Sequence, residues 1–220
     1  DKTMYKAPRG THDVLSDDYA VRTHILTTAS RVAELAGYRP IATPIIEHAD
    51  LFVRGIGDAT DIVEKEMYIF EDRGGDRLAL RPEPTAAICR AYLEHGLSNE
   101  PQPVKLWAHA INFRYERPQA GRYRQFEQFD LEALGVLDPA LDAEVLDVGW
   151  RISQELGLEG LTLLLNSIGD REDRKAYVPV LRAHFESNLD AMCADCRGRF
   201  DRVPMRLLDC KKDSCKPFQE

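Results

Sequence analysis

The chain has 220 residues, 44% of them hydrophobic, and carries 29 Lys and Arg against 37 Asp and Glu for a formal net charge of -8. This length and apolar content exclude a disordered chain, and the acidic balance argues against a nonspecific nucleic-acid coat, which needs clustered cations. Any anionic ligand must therefore be met locally. The opening DKTMYKAPRG lacks an apolar signal region and no window reaches the ~18 apolar residues of a membrane span, so a soluble, cytoplasmic protein is expected.

In chain order, Ser16 or Asp17 is expected to cap a helix that buries Val21, Ile25, Ala29, Val32, Ala33 and Ala36 and stops at Gly37. RPIATPIIEH (39–48) reads as a strand interrupted by Pro44, hence an edge suited to a subunit boundary. A loop with Gly55, Gly57, Asp58 and Asp61 leads to a hairpin over 67–83 that turns at Gly74 and Gly75. Thr85 opens a short helix ending near Gly96. A second hairpin leaves through LWAHAINFRYE (106–116) and returns through RYRQFEQFDLEALG (122–135). Asp138 and Pro139 start a helix to about Gly157 with Leu141, Val145, Val148, Ile152 and Leu156 on one face. LTLLLNSIG (161–169) reads as a buried strand, and a helix from Asp170 carries Tyr177, Leu181 and Phe185, with Pro179 as its expected kink. Hairpins without a regular βαβ series predict an α+β fold built on an antiparallel sheet.

The second hairpin concentrates Arg114, Arg117, Arg122 and Arg124 at its tip. Strand side chains alternate faces, so Asn112, Arg114 and Glu116 share one face of the outgoing arm, and Arg122, Arg124, Phe126, Gln128, Asp130 and Glu132 share one face of the return arm. Ordinary cross-strand ion pairs on a solvated face account for the charges alone. The order along the face says more: arginines, then a ring, then an amide and carboxylates. Guanidinium forks match phosphates, a phenyl ring stacks on a base, and carboxylates hold an ammonium. An amino acid beside ATP fits that layout.

APRGTHDV (7–14), PIIEHADLF (44–52), GIGDATDIVEKEMYIFEDR (55–73), LRPEPTAA (80–87), FRYERPQAGRYRQF (113–126) and LNSIGDREDR (165–174) together resemble the catalytic domain of bacterial histidyl-tRNA synthetases, which are class II aminoacyl-tRNA synthetases. The resemblance spans nearly the whole chain. It implies a class II catalytic fold, an antiparallel six-stranded sheet flanked by helices, with a homodimer built around motif 1 near Pro44. It also implies that residues 1–220 form part of that domain, holding motifs 1 and 2, with about 170–220 leading into a helical insertion.

By the same resemblance, Arg114 bridges the ATP α-phosphate and the histidine carboxylate and is the catalytic residue. Glu116 lies by the adenine, Arg122 reaches the distal phosphates and Phe126 stacks on the base. Glu83, Thr85, Gln128 and Glu132, with Arg114, take the histidine. The implied activity is histidine-tRNA ligase, with ATP as substrate, Mg²⁺ as cofactor and tRNA(His) and L-histidine as partners. The alternative is the histidine-sensing regulatory subunit of ATP phosphoribosyltransferase, a non-catalytic relative; a sensor does not need the ATP-directed Arg114, Glu116, Arg122 and Phe126.

Two positions depart from the family pattern. Pro84 stands where the family has Gly, which fixes φ and removes a backbone N–H, and Glu127 replaces the His of RQFHQ on the face opposite Gln128. The family's RGLDYY-like element, motif 3 and anticodon-binding domain fall beyond Glu220, so the 220 residues alone are expected to activate histidine weakly or not at all.

CADC (193–196) and CKKDSC (210–215) give C-x2-C and C-x4-C pairs, a spacing compatible with a tetrahedral zinc-thiolate site. Reduced cysteines without metal are common in such enzymes, and the family segment matching LDCK (208–211) can carry Ser. Spacing alone therefore assigns no metal. Six scattered histidines and glycines outside any phosphate-loop pattern add no further chemistry.

Overall fold

The computed structural model describes residues 5–56, 66–167 and 169–219. The chain divides into two compact units, Asp1–Leu161 and Thr162–Glu220.

In the first unit, α1 spans Ser16–Leu35. Ser16 is its first helical residue and the cap position falls on Leu15 with no side-chain bond, so neither Ser16 nor Asp17 caps it. Gly37 does stop it, at φ 85°. Thr28, Ala29, Val32 and Ala33 are buried, whereas Val21 and Ile25 are exposed, 60% and 43%. The apolar stripe is thus covered only along the C-terminal half of the helix.

The segment read as one strand around Pro44 is two: β1 (Arg39–Pro40) and β2 (Ile46–His48), followed by α2 (Ala49–Ile56). Gly55 therefore belongs to a helix, and Gly57, Asp58 and Asp61 lie outside the described residues. The hairpin at Gly74 and Gly75 forms as expected from β3 (Tyr68–Glu71) and β4 (Arg77–Leu80). Asp72 shapes its turn by accepting from the amides of Gly74 (2.8 Å) and Asp76 (2.9 Å), while Gly75 takes φ 90°. α3 spans Thr85–Glu94 and Gly96 ends its turn at φ 68°.

β5 (Val104–Phe113) and β6 (Gln125–Leu134) pair antiparallel over ten residues each, from Val104 opposite Leu134 to Phe113 opposite Gln125. β1 adds in parallel to β5, giving a sheet in the order β1-β5-β6, and a second antiparallel sheet has the order β2-β4-β3. Among the described residues the six strands thus form two three-stranded sheets. They meet at Arg81, whose amide donates to Ile45 O (2.9 Å) and whose carbonyl accepts from the Phe113 amide (2.9 Å).

The hairpin's two faces bury different partners. Trp107, Phe129 and Leu131 pack with Val32, Ala33 and Tyr38 from the α1 region and Val148 of α4 (Pro139–Glu155). Ile88 of α3 packs with Val104, Leu106 and Ala108 on the opposite face. α4 begins as its sequence predicts, with Asp138 accepting from the Ala140 amide at 2.9 Å.

The apolar run at 161–167, where the first unit ends and the second begins, forms no strand, and Leu161, Leu163, Leu164 and Leu165 are exposed by 45–88%. A strand requires a ladder partner, and no strand pairs with these residues in the described structure. α5 (Arg171–Glu186) starts with a capping box between Asp170 and Asp173, contains Pro179 and buries Leu181 and Phe185. α6 spans Ala194–Arg199, and the core joins Leu181, Phe185, Met192 and Leu207 to Cys196, Cys210 and Cys215.

Candidate active site

The register bears out the expected parity for Asn112 and for Phe126 to Glu132, whereas Arg114, Glu116, Arg122 and Arg124 lie beyond the strand ends. Asn112, Ala110, Ala108 and Leu106 of β5 stand opposite Phe126, Gln128, Asp130 and Glu132 of β6, on the face covered by α3.

At the deeper end, the start of α3 and the residues just before it deliver two of the residues singled out from sequence. Thr85 Oγ1 donates to Glu132 Oε1 at 2.6 Å. The Glu83 carboxylate accepts from the amides of Thr85 (2.9 Å) and Ala86 (3.1 Å), taking up the free donors of the helix start. Pro84, fully buried between them, has no amide of its own to satisfy. Glu83, Thr85 and Glu132 are thereby brought together.

A residue the sequence reading left without a role belongs with them. Asp130 is half-buried, and its Oδ2 is buried with no hydrogen-bond partner. Burial, followed by the charges of Glu132 and Glu83, pushes its pKa from 3.8 up to about 6, against the opposing pull of Arg81. Burial also raises Glu132; the Thr85 bond counters this, and Glu83 adds to it. Cys89 of α3 is raised by burial and then by Glu132 and Glu83, so it lies beside the same charges. Parity alone had set Asp130 between Gln128 and Glu132, and that was the signal that could have found it.

Arg81 is the cation next to this cluster, yet its fork is committed to backbone: Nε donates to Ile111 O (2.9 Å) and Nη1 to Thr43 O (2.8 Å). Burial pulls its pKa down, offset by Asp130 and Glu47. Such a carboxylate group, short of mobile cations, is a receptor for a positively charged ligand. Gln128 sits one position further out, accepting from Asn112 Nδ2 at 2.7 Å; Asn112 is itself wholly buried.

The arginine end is assembled differently. Arg114 Nε donates to Pro82 O (2.9 Å) and its guanidinium lies 5.1 Å from the centre of the Phe126 ring. Arg122 pairs with Glu116 at 3.2 Å. Arg124 turns away to lie 3.8 Å from the Tyr115 ring centre. Its amide donates to Gly10 O (2.7 Å), and a Cβ on Gly10, which has φ 86°, would meet the Arg124 side chain at 2.7 Å. APRGTHDV thus crosses the hairpin tip at a contact only glycine fits. Together with His12, Val14 and Tyr123, the Arg114, Glu116, Arg122 and Phe126 side chains line an open cleft of ≈ 550 Å³.

Glu127, at the edge of this cleft and on the sheet face opposite Gln128, accepts from Arg22 Nε of α1 at 2.7 Å and lies 2.7 Å from His109 Nε2. Its replacement of the family's His is a link between helix and sheet. Among the described residues no helix is long and apolar enough to cross a membrane.

A long hairpin with cations and a ring at its tip, carboxylates at its base and a helix over one face, on a largely antiparallel framework flanked by helices, is the catalytic fold of class II aminoacyl-tRNA synthetases. A family model described as histidyl-tRNA synthetase matches residues 10–169. A histidine-tRNA ligase of Dehalococcoides mccartyi is 53% identical over 217 residues, covering 99% of this chain and 52% of the relative. Histidine-tRNA ligase 1 of Shouchella clausii is 53% identical over 212 residues, covering 96% of this chain and 50% of the relative. The apo histidyl-tRNA synthetase structure from S. aureus superposes with a TM-score of 0.74 at 38% identity, covering 99% of this chain and 51% of that one. A Bacillus halodurans structure described as an ATP phosphoribosyltransferase regulatory subunit/histidyl-tRNA synthetase shares the fold, with TM-score 0.66 at 20% identity, and covers 99% of this chain and 62% of that one. The chain belongs to the histidyl-tRNA synthetase family. It spans about half the length of the curated relatives it matches.

Proposed function

We propose that these residues form the motif 1 and motif 2 part of the catalytic domain of a histidine-tRNA ligase, with residues 162–220 as an inserted helical unit. The observation that carries the reading is the polarity of one face of the β5–β6 hairpin, with Arg114 beside the Phe126 ring at the tip and carboxylates beneath α3. The sensor reading is weaker, because a cleft lined by Arg114, Glu116, Arg122 and Phe126 answers to a nucleotide.

In the proposed reaction, the histidine carboxylate oxygen attacks the ATP α-phosphorus and forms histidyl-adenylate, and the bond to the leaving pyrophosphate breaks. A terminal ribose hydroxyl of tRNA(His) then attacks the acyl carbon and releases AMP. Arg114, set by its bond to Pro82 O, stabilises charge on the carboxylate and α-phosphate as they meet. Phe126 offers the base a stacking surface. Arg122 leaves Glu116 to reach the distal phosphates, and Glu116 then faces the adenine. Glu83, Asp130 and Glu132 hold the ammonium and imidazole of histidine, with Thr85 and Gln128 as polar neighbours.

Mg²⁺ enters this scheme on the ATP phosphates. Of the two carboxylates lining the cleft, Glu127 is tied to Arg22 and Glu116 is turned to the adenine, so they form no magnesium cage and no step is assigned to the ion. A cytoplasmic homodimer completes the proposal, its interface supported by exposed Ile45 (40%) just before the edge strand β2 and exposed Ile46 (48%) at that strand's start.

The test is histidine-dependent exchange of pyrophosphate into ATP by these 220 residues fused to the second half of the Dehalococcoides mccartyi relative. The proposal expects exchange with histidine alone among the amino acids. Exchange driven equally by another amino acid, or none from a folded fusion, contradicts it.

A further inference from the structure

The cysteine cluster takes no part in the proposed reaction. Cys193 and Cys196 frame the start of α6, and Cys210 and Cys215 flank a short loop. The fold brings all four Sγ atoms within 4.8 Å of one another. Two separations are 3.9 Å (Cys193 to Cys210) and 3.8 Å (Cys196 to Cys215).

These distances have a specific meaning. A zinc ion bonded to four thiolates at about 2.3 Å places the sulfurs at the corners of a tetrahedron with edges of about 3.8 Å. A disulfide would pull one pair to about 2.0 Å and has no need of the other two sulfurs. Four sulfurs gathered within 4.8 Å of one another, two of the pairs at 3.8–3.9 Å, are what a common central ion requires.

The surroundings agree. Cys196, Cys210 and Cys215 are buried, and Cys193 is half-buried. The Cys193 amide donates to Cys215 Sγ at 3.2 Å, the kind of bond that orients a thiolate ligand. A zinc tetrathiolate carries two net negative charges, and the stretch from Cys193 to Lys216 holds seven Lys and Arg against four Asp, a surplus that offsets them. The second unit has one long helix, and three of its seven buried core residues are these cysteines. A core that small ordinarily needs a covalent or metal link to stay folded.

We propose that Cys193, Cys196, Cys210 and Cys215 bind one zinc ion as a closed structural site. With four protein ligands it has no open coordination position, so its role is to clamp α6 to the 210–215 loop rather than to activate substrate. Cys89, on α3, is not a ligand.

The experiment is elemental analysis of the full 220-residue chain, purified without added metal or chelator. A single zinc per chain is expected. It should be lost in Cys196→Ser and Cys210→Ser and kept in Cys89→Ser. Should the first two variants fail to fold, cobalt exchange into the wild-type chain decides, through the strong visible bands and thiolate charge-transfer absorption of a tetrahedral cobalt-tetrathiolate centre. Zinc-free folded protein with all five thiols open to alkylation on unfolding, disulfides in the non-reduced mass, iron in place of zinc, or a wild-type chain that takes up cobalt without those bands would each overturn the assignment.

Discussion

Thr85 Oγ1 donates to Glu132 Oε1 across 2.6 Å, joining the first turn of α3 to β6 over 47 residues of sequence. This bond stabilises the ionised form of a carboxylate that burial and Glu83 otherwise push toward its acid form. Thr85→Val keeps the shape and removes the donor. The expected loss is about 1–2 kcal/mol at neutral pH, read from the urea midpoint. Unchanged stability would mean that the bond contributes nothing.

Asp130 gives a pH dependence of defined sign. Its pKa rises from 3.8 to about 6 in the fold, so the folded state favours its acid form and its contribution to stability falls as pH climbs through that interval. Asp130→Asn avoids the ionisation. The variant should gain about 1–2 kcal/mol over the parent above pH 6, a figure discounted for screening at a half-buried site, with the gain closing below pH 4. Urea melts at several pH values read this directly, and a gain independent of pH would contradict it.

Gly10 tests whether the N-terminal segment shapes the hairpin tip. Gly10→Ala meets Arg124 and must also hold φ 86°, so a destabilisation of at least about 1–2 kcal/mol is expected. Repositioning Arg124 should weaken ATP binding as well, measured by calorimetry. Gly149→Ala, in open space on α4, is the control and should leave ATP binding alone.

The proposed dimer makes Ile45 and Ile46 the residues to charge. Ile46→Asp should shift the chain toward monomer in sedimentation velocity without changing its circular dichroism. A wild-type chain that sediments as a monomer at every concentration would remove the dimer from the account.

The β5–β6 face was legible from sequence because ten-residue strands alternate without interruption, and the two glycine turns were legible because φ above zero leaves few other choices. The buried strand expected at 161–169 failed because an apolar run shows an appetite for burial but not whether a ladder partner exists. Ser16 failed as a cap because the helix starts one residue earlier than its polar pattern suggested. Asp130 was visible in the parity but had no role, since its significance comes from burial beside Glu83 and Glu132, contacts set by α3 folding across the sheet.

The central claim is that one face of β6 receives a nucleotide at its tip and histidine at its base. Its most direct measurement is the affinity for a non-reactive analogue of histidyl-adenylate in Arg114→Ala, Glu132→Gln and Arg117→Ala. The account predicts at least a roughly tenfold loss in each of the first two and none in the third. Undiminished affinity in Arg114→Ala and Glu132→Gln would contradict it.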